Sequence, residues 1–168
     1  MTARGPAWLC PLVPALFSCL LLAGLLFTAM PLGAQTPAPP MIEHVSMRLF
    51  YIYSGTLSGD IAPPASFTGW NTIIGEGDAR EAAEDMLVTV RLRGTPESGH
   101  FPPVFIEAKN GKGQVVGARE ATPDLTDING RAHVAMMLHG IGCAGRLTIT
   151  VRMGKAVQKS SVNLDCGE

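Results

Sequence analysis

Hydrophobic and polar positions alternate most regularly toward the C-terminal end. Leu147, Ile149 and Val151 recur at every second residue, and so do Val162 and Leu164 beyond Gly154-Lys155. Period two is the signature of a strand with one face buried. Glycine at the first central position suits a two-residue type II′ turn, which needs φ > 0 there. The register then follows: Met153 opposite Ala156, Val151 opposite Gln158, Ile149 opposite Ser160, Leu147 opposite Val162. It also sets Cys143 opposite Cys166. Alternation, turn chemistry and cysteine position agree, and together they predict a hairpin closed by a disulfide.

The same pattern predicts further strands. Over 42–53, Val45, Met47, Leu49, Tyr51 and Tyr53 share one face while Phe50 and Ile52 take the other. This predicts a strand half-buried at its start and buried on both sides at its end. Met86, Val88, Val90 and Leu92 point inward from 86–93, and Ala132, Val134, Met136 and Leu138 from 131–139. The segments 104–108 and 114–118 flank Asn110-Gly111, a strong two-residue hairpin signal that sets Ile106 opposite Val115. Residues 54–79 have no sustained period and are rich in glycine and proline. A short strand is expected near 70–74. Asp78 and Glu81 have the spacing of a capping box, predicting one or two helical turns over 79–85. Roughly seven to nine short strands separated by glycine and asparagine turns indicate an all-β sandwich or barrel.

Composition supplies an address. Arg4 precedes an apolar run over 7–32, which ends in Gly33-Ala34 before a proline-rich stretch. This is the layout of a secretory signal peptide over 1–34, cut after Ala34. An uncleaved anchor in the inner membrane is the alternative, because the run is long enough to span. Residues 35–41 are expected to be an extended tether and 42–168 the domain. Cys10 and Cys19 leave with the leader, so Cys143 and Cys166 are an even pair in an oxidising compartment, as a disulfide requires. The mature charge of about −2 argues against a nucleic-acid binder, which would carry a basic excess.

A resemblance rests on Thr126-Asp127-Ile128-Asn129-Gly130-Arg131-Ala132-His133-Val134 followed by Ala144-Gly145-Arg146-Leu147-Thr148-Ile149-Thr150. These segments resemble the second half of bacterial immunoglobulin-like domains of the invasin and intimin type. Those carry Thr-Asp-x-x-Gly-x-Ala-x-Val and then Ala-Gly-x-x-x-Ile-Thr. The likeness covers about 104–152 in a single copy, and residues before Met86 do not share it. It implies an immunoglobulin-like sandwich and says little of adhesion, since one fold hosts many functions.

Candidate chemistry is sparse. His133, Met137 and His139 project from one outward strand face, and His with Met suits copper or zinc in an exported protein. Only Met137 and His139 are close enough to share an ion, with His44 or His100 as a third ligand. Glu76, Asp78, Glu81, Glu84 and Asp85 crowd one loop, and Asp124, Asp127 and Asn129 another. Oxygen clusters suit calcium, but neither has a calcium-loop spacing, and Asp and Asn favour turns for local reasons. Tyr53 and Trp70 stand beside the irregular segment with Glu76 and Asp78, and loops on a rigid scaffold tend to carry function. No nucleophile elbow, zincin motif or phosphate loop is present. The expectation is therefore a non-enzymatic binding or structural module of the envelope, periplasmic or secreted, with no cofactor. Its expected partner is an envelope protein or glycan, contacted through Tyr53, Trp70, Glu76 and Asp78. The alternative is a periplasmic metal-binding protein.

Overall fold

In the computed structural model, residues 39–167 are described. The expected signal peptide and most of the tether lie outside them. Eight strands follow in order: β1 Met41–Phe50, β2 Gly69–Trp70, β3 Asp85–Arg93, β4 Val104–Lys109, β5 Val115–Ala121, β6 Arg131–Leu138, β7 Gly145–Met153 and β8 Ala156–Asp165. They form two sheets, one ordered β1-β3-β6 and the other β2-β8-β7-β4-β5. All pairings are antiparallel except β2 with β8. Lettered in chain order as A, A′, B, C, C′, E, F and G, the sheets are A-B-E and A′-G-F-C-C′. That is the strand partition of an immunoglobulin-like sandwich.

The period-two pattern decides what lies between the sheets. Val45, Met47 and Leu49 from β1, Met86, Val88, Val90 and Leu92 from β3, and Ala132, Val134, Met136 and Leu138 from β6 are buried. They meet Val104, Ile106 and Ala108 of β4, Leu147, Ile149, Val151 and Met153 of β7, and Val162 and Leu164 of β8. The β7–β8 register is the one derived from the turn, including Ile149 opposite Ser160 and Leu147 opposite Val162. Gly154 has φ 57°. Cys143 and Cys166 are disulfide-bonded, with their Cα atoms 5.3 Å apart.

Four local expectations are corrected. First, β1 ends at Phe50, and Ile52 and Tyr53 are exposed. The chain turns away at once, because the Thr56 carbonyl accepts from Tyr51 N–H and the Tyr51 carbonyl from Gly55 N–H. Second, β2 is only two residues long, and Thr72–Ile74 is a turn of 3₁₀-helix rather than strand. Third, no helix forms over 79–85. Both capping-box side chains are diverted: Asp78 Oδ2 accepts from the Thr68 N–H at 2.7 Å, and Glu81 Oε2 from the Ser54 N–H at 3.0 Å. Fourth, Ile106 pairs with Arg119, not Val115. The β4–β5 loop has three residues between Asn110 and Gln114, and Gly113, not Gly111, takes the positive φ of 76°. That is a type I turn closed by a glycine bulge. The Asn110 carboxamide oxygen holds it by accepting from Lys112 and Gln114.

Candidate functional site

Four segments gather at the disulfide end of the sandwich: 51–84, 110–114, 139–144 and 166–167. Backbone bonds from Ile141 to Glu84 and from Gly111 to Ala144 tie them together. The long segment 51–84 is thoroughly bonded. Its stretch 57–61 runs along the free edge of β1, where Ser58 N–H reaches the Leu49 carbonyl and Ile61 N–H the Met47 carbonyl. Ser58 Oγ accepts from Leu49 N–H and Asp60 Oδ1 from Met47 N–H. An edge covered in this way cannot template pairing with another chain.

The next stretch is fastened to β8 and the C-terminal residues. Gly69 lies so close to the Asn163 carbonyl that an added Cβ would sit 2.2 Å from it. Asn71, at φ 45°, links the ends of this stretch. Its amide donates to Glu76 Oε2 at 2.8 Å, and its carbonyl oxygen accepts from Gly167 N–H at 2.8 Å. Thr72 is fully buried and its hydroxyl donates to the Gly142 carbonyl, while its own carbonyl accepts from Ala83 N–H. Tyr51 is buried beneath, its hydroxyl accepting from Arg80 N–H.

This bracing holds large apolar side chains in solvent. Tyr53 is 80% exposed, Ile74 64% and Trp70 45%, with Ile52 and Ile73 also exposed. Trp70 packs on Gly167, where a Cβ would meet its ring at 2.7 Å. The structure thus brings Trp70, Glu76 and Asp78 into one loop through Asn71 and Thr68. Tyr53 stands on the neighbouring 51–56 turn, which is joined to 81–82 by the Ser54 and Ile52 amides. Ile52, Ile73 and Ile74 were not among the residues expected here. A solvent-facing strand ending could not be told from a buried one by periodicity.

The His/Met candidates have different surroundings. His139 Nδ1 lies 2.9 Å from Asp85 Oδ2, and Asp85 Oδ1 accepts from Gly140 N–H, so the pair fastens the 139–144 loop to the start of β3. Met137 is exposed on β6, beside Leu87. Among the described residues no group of three or more His, Cys, Asp or Glu side chains could hold a metal ion. Asp127 Oδ1 accepts from the Asn129 and Arg131 amides, both at 2.8 Å, which builds the turn into β6. Those bonds hold its carboxyl below the usual range, the Arg131 amide contributing most.

A concavity that the sequence did not reveal lies on the outer face of the three-stranded sheet. Its volume is about 340 Å³, and its lining includes His44, Arg48, Asp60, Arg91 and His133. Registers set His44, Arg91 and His133 side by side across three strands. His44 Nε2 lies 2.7 Å from Asp60 Oδ2. Arg91 Nε lies 2.9 Å from Glu43 Oε2, and Arg93 Nη2 3.2 Å from Glu43 Oε1. Burial pushes the Glu43 carboxyl up, but the bond from Arg93 and the charges of Arg93, Arg91 and Arg131 outweigh it and leave it low.

No protein-family model matches the chain, and no curated protein matches it in sequence. Some solved structures resemble it in part, at low identity. An immunoglobulin-like protein from Pseudomonas aeruginosa is 13% identical, with a TM-score of 0.40, over 77% of this chain and 98% of that one. The C-terminal domain of wzt is 12% identical, also at 0.40, over 79% and 78%. Part of β-glucosidase 3B from Thermotoga neapolitana, in complex with glucose, is 12% identical at 0.35 over 49% of this chain. The chain spans 14% of that enzyme's length. The immunoglobulin-like character of this chain is read from its own strand order, A-B-E against A′-G-F-C-C′.

Proposed function

We propose that the chain is an exported, non-enzymatic binding module of the bacterial envelope that contacts a protein partner through its disulfide end. One observation carries the reading: Ile52, Tyr53, Trp70, Ile73 and Ile74 are held in solvent on loops fastened to the scaffold. Exposed apolar clusters rimmed by polar groups mark interaction surfaces, and aromatic anchors dominate binding energy where they exist. Glu76 and Asp78 supply the polar rim. Export rests on the leader sequence and on the oxidised cysteine pair.

The test places a photo-crosslinking residue at Tyr53 and, as control, at Lys155 on the opposite turn, in cells that make the protein. A discrete adduct from position 53 alone is expected, and it disappears when Trp70→Ser and Ile74→Ser are added. Equal adducts from both positions, adducts indifferent to those substitutions, or none at all would sink the assignment.

A further inference from the structure

We propose that the outer face of the five-stranded sheet binds a linear, carboxylate-bearing polysaccharide. The proposal deepens the binding-module reading but uses a different surface from the disulfide-end loops. The face carries a shallow trough of about 600 Å³ lined by Lys109, Arg146, Arg152 and Lys159, with Glu107 its one acidic residue. Four cations against one carboxylate leave a local excess of three positive charges. The whole chain is nonetheless slightly acidic, at −1.

Strand register orders these groups. Arg146, Thr148, Thr150 and Arg152 all point outward along β7. Lys109 and Ser161 flank Thr148, Glu107 and Lys159 flank Thr150, and Phe105 and Val157 flank Arg152. Arg152 follows Arg146 by six positions, so the cations are strung over roughly 20 Å. Glu107 is spoken for. Lys109 Nζ lies 3.0 Å from it, and that bond, against some burial and with the charges of Lys109 and Arg152, keeps its carboxyl below the usual range. Among the described residues no ion pair engages Arg146, Arg152 or Lys159.

Arginine presents a planar fork that matches a carboxylate with two parallel bonds, which favours acid groups over plain hydroxyls. Thr148 and Thr150 lie between the cations, where sugar hydroxyls would fall; Thr148 Oγ1 is 3.0 Å from Ser161 Oγ. Phe105, 40% exposed, and Val157, 57% exposed, offer an apolar patch to a sugar's CH face at one end. A nucleic acid fits less well. It carries one charge per base step and wants several aromatic stacking platforms, whereas this trough has three spare charges, and Phe105 beside it stands opposite the acidic Glu120.

The experiment is calorimetric titration of the intact chain with oligogalacturonate, neutral dextran oligosaccharide and a single-stranded oligonucleotide. Oligogalacturonate should bind and weaken as salt rises, and dextran should not bind. The double change Arg152→Gln with Lys159→Gln should weaken binding roughly tenfold or more, the scale of losing two charge-assisted bonds. Arg48→Gln, on the other sheet, should leave it unchanged. Both altered residues are exposed, and equal unfolding midpoints would confirm intact folding. Absent binding of oligogalacturonate overturns the proposal, as does binding the double variant keeps, equal uptake of dextran, or tighter uptake of the oligonucleotide. The crosslinking outcome at Tyr53 is independent of all of these.

Discussion

Asp60 concentrates several constraints in one side chain. Oδ1 accepts from the Met47 and Ala62 amides, each at 3.0 Å, and Oδ2 lies 2.7 Å from His44. Burial raises its pKa, but the bonds from Ala62, His44 and Met47 outweigh that and set it below its ordinary 3.8. A carboxyl whose pKa is lower folded than unfolded contributes stability that is complete above its unfolded pKa and lost as pH falls through the folded one. Stability should therefore drop as pH falls below 3.8, and Asp60→Asn should flatten that acid limb while costing stability near neutrality. Urea midpoints measured across the acid range for both proteins check it; parallel curves would remove Asp60 as a cause. The same economy explains the missing helix. Asp78 and Glu81 are bonded to the distant amides of Thr68 and Ser54 and make no bond to a helix cap.

At the scale of elements, two attachments hold the disulfide end together. Cys143 and Cys166 lie 23 residues apart, and on the chain-entropy account closing a loop of that length is worth about 3 kcal/mol. Replacing both with alanine should lower the unfolding free energy by roughly that amount in denaturant titration. The β7–β8 register should survive, because nine cross-strand pairs and the Gly154 turn define it independently. The second attachment is β2 on β8, which depends on the close approach at Gly69. Gly69→Ala forces the strands apart and should cost on the order of 1–3 kcal/mol, the range for overpacking. Amide exchange reads it directly. The Asn71 N–H, bonded to the Asp165 carbonyl at 2.8 Å, should lose protection, whereas the Ile149 amide in central β7 should not.

Across the whole molecule, the buried layer and the two proposed contact surfaces use different positions. Inward positions of both sheets form one apolar layer, in which Leu147, Ile149 and Val151 are fully buried. Ile149→Ala should destabilise by about 2–5 kcal/mol, since the cavity adds to the lost transfer energy. Val157→Ala on the exposed face should stay within about 0.5 kcal/mol. Thermal or chemical unfolding of the two variants makes the comparison. Charge is divided as well. Glu76, Asp78, Glu81, Glu84 and Asp85 sit in or beside the disulfide-end loops, while Arg146, Arg152 and Lys159 line the five-stranded face. A near-neutral total thus averages a basic trough and an acidic group of loops.

The sequence by itself determined which residues of β3, β6, β7 and β8 face the core, where β7 turns into β8, and that Cys143 meets Cys166. Each rests on a period of two or on a turn only a few residues long, and such signals are local. It also carried the immunoglobulin-like likeness over 104–152. Tertiary structure decided the rest. It set which strands that are not chain neighbours share a sheet, how 57–61 covers the edge of β1, and why Ile52 and Tyr53 lie in solvent. It also placed His44, Arg91 and His133 in one row, and Lys109, Thr148 and Ser161 in another. Most of those outcomes depend on partners that are not neighbours in the chain. A strand's period tells which side of it is wet, but not which strand lies beside it. Asp78, Glu81 and the Asn110-Gly111 pair were misjudged for the same reason: a local motif states what a side chain can bond, and only the assembled chain decides which donor reaches it first.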